Sequence, residues 1–246
     1  MKSVTNLLLQ QIADCDIDLT KMDWENADTC DNPLLDYLNE LAFDDPDKYS
    51  DFLRVEYKAG ASKLVIDTLE EYVIKIPLCG VCDECKVPFN IEFCEGKHIN
   101  IANKNLFPDV EWGKWDYCEL EEDRFILAKE AGLEDFFAET RFICETLSGY
   151  PIYLQKRVES VEGVKGQRKI LSDIENKVLK NTLKKKGTIG INSREWIDSF
   201  IANYGVDLFA ELINFLSAVK INDLHNNNLG SLNSKPILFD YAGYYE

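Results

Sequence analysis

Apolar residues recur at helical spacing near the start of the chain: Leu7, Leu8 and Ile12, then Leu34, Leu35, Leu38 and Leu41. Side chains three and four apart share one face of a helix, so this spacing predicts helices within the first fifty residues. Asp31-Asn32-Pro33 reads as a helix start, and Asp44-Asp45-Pro46-Asp47 interrupts the pattern. The texture then changes to short β-branched and aromatic runs at 52–57, 63–66 and 72–77, separated by turn residues. That pattern predicts a three-stranded antiparallel meander. An irregular, cysteine-bearing stretch follows at 79–112. A helix is predicted over 119–131, closed by Gly132, and a strand over 150–158 (YPIYLQKRV). Helical patterns dominate from 159: a basic amphipathic segment at 173–186, a helix at 193–204 opening on Ser193, and a core helix at 207–220 (DLFAELINFLSAVK). Residues 236–240 are again strand-like and end a short hairpin.

Segregated strands and helices predict an α+β fold with two lobes. The expected division is a helical extension over 1–50, a sheet lobe with one helix over 51–160, and a reduced helical lobe over 161–246. The connection is expected near 159–166, where Glu-Gly-Val-Lys-Gly occurs.

Composition narrows the function classes. The 246 residues are 46% hydrophobic and 29% charged, the balance of a globular chain with a real core. Asp and Glu number 44 against 27 Lys and Arg, for a formal charge of −17. Phosphate-backbone binding depends on positive charge, so direct nucleic-acid binding is not expected. The charge is uneven: residues 1–60 carry 14 acidic and 5 basic side chains, residues 156–186 carry 4 and 10. No apolar run approaches the ~20 residues that cross a bilayer, and the opening LLLQQI turns acidic at once, unlike a signal peptide. A cytoplasmic protein with no membrane partner is expected. Its eight cysteines are then expected as thiols or metal ligands.

Candidate chemistry lies in an ordered set. Lys75 sits inside the apolar strand VIKIP, where an ammonium needs a partner because its desolvation is costly. The helix at 119–131 offers carboxylates, Glu121 first and Glu122 second. Asp223 and Asn228 stand five apart in INDLHNNN, just after a core helix. Asp240 ends an apolar strand and is followed by Tyr241-Ala242-Gly243. Taken together, order and spacing resemble the protein-kinase-like fold over about 52–246. Lys75 matches the third-strand lysine, Asp223 and Asn228 the D-x-x-x-x-N of the catalytic loop, and Asp240, in DYAG, the D-F-G aspartate. Counting back from AKEAGL puts the family's glutamate at Glu121. The DLHNNN form resembles small-molecule and atypical kinases, and kinase-like proteins carried by bacteria and phages.

The resemblance implies ATP and magnesium in a cleft between lobes, with Lys75 and Glu121 holding phosphates and Asn228 and Asp240 holding the metal. Asp223 is implied as the base for an attacking hydroxyl, of a protein or small-molecule substrate. Several departures qualify this. The phosphate loop carries only Gly60, in KAGAS, with Ser62 beside it as a further phosphate donor. Asn222 replaces the usual arginine before the catalytic aspartate, and the sequence runs only six residues past Asp240. An activation segment and a C-terminal substrate lobe are therefore not expected. The alternative is an inactive, pseudokinase-like interaction protein that binds and inhibits a partner through its acidic surface.

Other features keep two readings. Cys79, Cys82, Cys85 and Cys94 could hold zinc through four thiolates, or be buried free thiols, since the second pair lacks the usual spacing. His225 is either a brace near Asp223 or a loop histidine. The lysines at 177, 180 and 184–186 are either a contact surface or the solvated end of a helix.

Overall fold

The computed structural model describes residues 3–15, 33–59, 63–77, 117–147, 151–161, 169–185, 189–222 and 224–242. The chain divides into two units, residues 1–122 with 140–157 and residues 123–139 with 158–246. Among the described residues no helix is long and apolar enough to cross a membrane.

The first unit is built on a five-stranded antiparallel sheet in the order β1-β2-β3-β5-β4. Its strands are β1 (Glu56–Ala59), β2 (Lys63–Asp67), β3 (Tyr72–Pro77), β4 (Thr140–Glu145) and β5 (Pro151–Lys156). Residues opposite one another across a ladder share a face. The pairs Leu64↔Ile76, Ile66↔Ile74 and Ile74↔Leu154 therefore define one apolar face, which Tyr57 and Ile152 extend. That face forms a single core with Leu8, Leu9 and Ile12 of α1 (Val4–Asp14), Leu34, Leu38 and Ala42 of α2 (Pro33–Asp44), and Tyr49 of α3 (Pro46–Tyr49). The described helices among the first fifty residues thus share a core with the sheet. Asp45 precedes Pro46 at the first position of α3, which is how the DDPD break is realised.

The chain meets the sheet later than its sequence predicts. Residues 52–54, expected in the first strand, lie in the 3-10 turn Ser50–Arg54. Phe52 is buried against Tyr49, with ring centroids 5.2 Å apart, while Leu53 and Arg54 are exposed. One deeply buried aromatic in five residues suits a turn more than an alternating strand.

α1 is tied down from outside its own sequence. Ser3 caps it by accepting from the Asn6 N–H, and Glu70, on the β2–β3 turn, accepts from Ser3 Oγ at 2.6 Å, Val4 N–H at 2.9 Å and Thr5 N–H at 3.0 Å. Burial pushes the Glu70 carboxyl up, but these donors outweigh it and bring it down from 4.5 to about 2. A carboxyl depressed on folding stabilises the fold above its ordinary value, and that contribution fades as pH falls from 4.5 towards 2. Glu70→Ala is expected to lower stability by about 1–2 kcal/mol near neutral pH, as loss of a helix cap does. The difference should shrink below pH 4.5; urea titrations of both proteins across that range check it.

The second unit buries Trp196, Ile197 and Phe200 of α6 (Arg194–Tyr204) against Phe209, Leu212, Ile213 and Leu216 of α7 (Val206–Ala218). Ser193 caps α6 by accepting from the Trp196 N–H at 3.3 Å. Gly205, at φ +89, turns the chain between the two helices, a conformation in which glycine carries no side-chain penalty. α5 (Asp173–Lys185) contributes Leu179 to the same core. A three-stranded antiparallel sheet completes the unit in the order β6-β7-β8, from β6 (Glu159–Ser160), β7 (Leu229–Leu232) and β8 (Lys235–Leu238). α4 (Tyr117–Glu130) is closed at Gly132, φ +70, and the division between units falls between its Glu122 and Asp123.

Candidate functional site

The sheet of the first unit has a second face, and it is polar. Because Val65 pairs with Lys75, Lys75 with Tyr153, and Gln155 with both Val73 and Thr140, these residues and Lys63 lie opposite the apolar face. α4 brings Glu121 to them. Glu121 is fully buried, Lys75 is 2% exposed and Lys63 is 3% exposed.

The carboxylate is gripped on both oxygens. Lys63 Nζ donates to Oε1 at 2.6 Å and Lys75 Nζ to Oε2 at 2.8 Å. Gln155 Nε2 donates to Oε2 at 3.0 Å and to Thr140 Oγ1 at 2.8 Å, and Thr140 Oγ1 donates to Oε2 at 3.3 Å. Burying a carboxylate and two ammonium groups costs several kcal/mol per ion, and only close geometry with added hydrogen bonds offsets it. Charge-assisted contacts under 3 Å of this kind are the strong ones.

The other acidic residues of the helix are placed differently. Glu122 accepts from the Phe142 N–H at 2.9 Å and so fastens the edge strand β4 to the helix. Glu119 and Glu130 are exposed.

In the second unit the β7–β8 hairpin brings Asn228 and Asp240 to its open end. Leu229 pairs with Leu238, and just beyond that pair the Phe239 N–H donates to the Asn228 carbonyl at 3.0 Å. Asn228 is buried and ends a 3-10 turn, Asn226–Asn228, which His225 caps by accepting from the Asn227 N–H at 3.2 Å on Nδ1. His225 is therefore a brace of the turn that ends in Asn228. Asp240 follows β8 at φ +54, a left-handed conformation uncommon for residues with a side chain and most often held by Asn or Asp. Tyr241, fully buried, fixes the chain directly after it by donating its hydroxyl to the Ala138 carbonyl at 2.7 Å.

The loop carrying the predicted base is anchored on both sides. Ile221 and Leu224 are fully buried, and the Leu224 N–H donates to the Ile189 carbonyl at 3.2 Å. Gly190, at φ +71, lets the two segments approach: a Cβ there would stand 3.2 Å from the Asn222 carbonyl oxygen. Asp223 itself lies outside the described residues, as do Gly60, Ser62 and the cysteines at 79, 82, 85 and 94. Among the described residues no group of three or more His, Cys, Asp or Glu side chains is placed to hold a metal.

Lys63, Thr140 and Gln155 carry no motif and were not expected at the site. The available signal was alternation: Leu64 and Ile66 mark the buried face of β2, which assigns Lys63 to the face of Lys75 once the register is known.

No family model, curated protein or solved structure matches the chain.

Proposed function

We propose that the protein binds ATP with magnesium and transfers its terminal phosphoryl group to a hydroxyl of a substrate. The observation that carries this reading is the buried ion pair of Lys75 and Glu121, one on the third strand of a meander and the other on the helix Tyr117–Glu130. An ammonium held by a carboxylate is a preset positive charge, which is what a polyphosphate needs from its binding site. Asn228 and Asp240 offer an amide oxygen and a carboxylate at one end of a hairpin, and hard oxygen donors suit magnesium. In this reading Asp223 accepts the proton as the hydroxyl oxygen attacks the terminal phosphorus and ADP leaves.

A second reading keeps the fold as an inactive interaction protein. It is favoured by the outer face of α2 and the turn after it, where Asp36, Glu40, Asp44 and Asp47 are exposed around Phe43, itself 74% exposed. Such a face suits a basic partner. Thermal unfolding with and without magnesium and ATP separates the two. A ligand that binds only the native state stabilises it by about 2.7 kcal/mol at a hundredfold excess over Kd, so a rise of several degrees in Tm is expected. No shift at millimolar ATP overturns the nucleotide reading in favour of the interaction protein.

A further inference from the structure

The lysines of α5 stand on its outer side. Leu179 and Thr182 of that helix are buried, whereas Ile174, Lys177, Lys180 and Lys184 are exposed. Spacings of three and four residues put these four on one stripe of the helix. Its acidic side chains, Asp173 and Glu175, both lie in the first turn, and Glu175 is engaged by Lys169 at 2.8 Å. Beyond that turn the outer stripe carries positive charge only.

α2 has the opposite character. Leu34, Leu38 and Ala42 form its buried side, and Asp36, Glu40 and Phe43 its outer stripe, flanked by Asp44. No basic residue occurs between 33 and 47. Among the described residues the most exposed large apolar side chains are Ile170, Ile174 and Phe43, at 97%, 78% and 74%. Phe43 stands in the negative stripe and Ile174 in the positive one, with Ile170 just before it in the chain. Exposed ion pairs contribute little singly, so charge alone would not hold two such faces together. An apolar side chain within each stripe supplies surface to bury, and the charges around it fix partner and orientation. Each copy is acidic as a whole, but repulsion beyond the Debye length of about 8 Å is largely screened at physiological ionic strength, while facing charges in contact are not.

We propose that the two stripes are the complementary halves of a self-association contact: α2 of one copy docks on α5 of a second copy, Phe43 against Ile174 and carboxylates against lysines. The pairing is heterologous. Each copy in a pair keeps one stripe of each kind open or engaged in turn, so copies add head to tail. The basic partner that suits the α2 face is then the chain itself, and the contact needs no nucleotide. One helix against one helix is a small contact, at the weak and transient end of protein interfaces, so affinity in the micromolar range or weaker is expected.

Sedimentation equilibrium of the full chain, from micromolar to near-millimolar concentration, tests it. The mean mass should rise with concentration above the 28.2 kDa of one copy. Glu40→Lys with Asp44→Lys reverses one stripe, and Lys177→Glu with Lys180→Glu the other. Either variant alone should associate at least about tenfold more weakly than wild type. An equimolar mixture of the two should associate again, because each supplies the stripe that the other lost. Phe43→Ser changes no charge and should also weaken association by about tenfold. All these positions are exposed, where substitutions leave a fold intact, and circular dichroism verifies it. Should the α2 reversal fail to fold, Phe43→Ser tests the same stripe. A wild-type chain that stays a single copy throughout overturns the proposal, as does association that survives either reversal or a mixture that stays dissociated. A single-copy wild type that binds a lysine-rich amphipathic peptide, and loses it in Phe43→Ser, gives the α2 face to a separate basic partner and overturns the self-contact.

Discussion

Glu121→Ala is expected to destabilise the first unit by about 3–5 kcal/mol, the cost of removing one partner from a buried ion pair. The variant deprives Lys63 and Lys75, both nearly inaccessible to water, of the carboxylate each touches. It also removes the acceptor that Thr140 and Gln155 share. Few single substitutions reach this size, and it is a large share of a total stability of about 5–15 kcal/mol. Glu121→Gln retains the volume and one oxygen but loses the charge, so most of the loss should remain. Replacing the three ions together, as Lys63→Met, Glu121→Leu and Lys75→Met, should recover the part of the loss that comes from leaving charges buried and unpaired, while Thr140 and Gln155 stay without their shared acceptor. Urea denaturation gives the midpoints. A Glu121→Ala loss below about 1 kcal/mol would mean that the cluster is solvated like a surface pair.

That contrast bears on why the cluster exists. If the triple apolar variant is as stable as wild type and binds no ATP, the ions are held for chemistry and not for the fold. The same distinction explains what the sequence made legible. A lysine inside VIKIP is a local anomaly, and a local anomaly asks for a partner; the helix at 119–131 offered candidate carboxylates, and the kinase-like resemblance singled out Glu121 among them. The helices at 33–44, 173–185, 194–204 and 206–218 were readable because their apolar residues keep a 3.6 period and their ends carry Pro, Ser or Gly. β4 was not readable. It is an edge strand with Arg141, Phe142 and Ile143 exposed and a register irregularity between Phe142 and Cys144, so its alternation is broken where the signal would be. β6 is two residues long and exists through its pairing with β7. Lys63 and Gln155 were hidden for a third reason. Their meaning depends on register across strands that are distant in sequence, and register is not written in either strand alone.

The second large effect is expected at Asp240, where backbone and side chain make separable demands. Asp240→Asn should weaken ATP binding in the presence of magnesium by roughly a hundredfold, with little change in stability. Asparagine tolerates the left-handed conformation about as well as aspartate, but a neutral amide is a poorer ligand for a hard dication. Asp240→Ala should both lose magnesium-dependent binding and destabilise the second unit by about 1 kcal/mol, because alanine at φ +54 carries the same steric penalty with no polar side chain to offset it. Asp240→Gly relieves that penalty, and the entropy it adds to the unfolded chain roughly cancels the gain, so its stability should match wild type while magnesium-dependent binding is lost. Stability should thus rank Gly, Asp and Asn together above Ala, and affinity should rank Asp far above the other three. A residue kept only to turn the chain into the buried Tyr241 would give the first ranking without the second. Equal magnesium–ATP affinity in all four proteins therefore removes Asp240 from the metal site. It would leave Asn228 as the one described oxygen donor of that assignment, too few to hold a magnesium ion that also carries triphosphate.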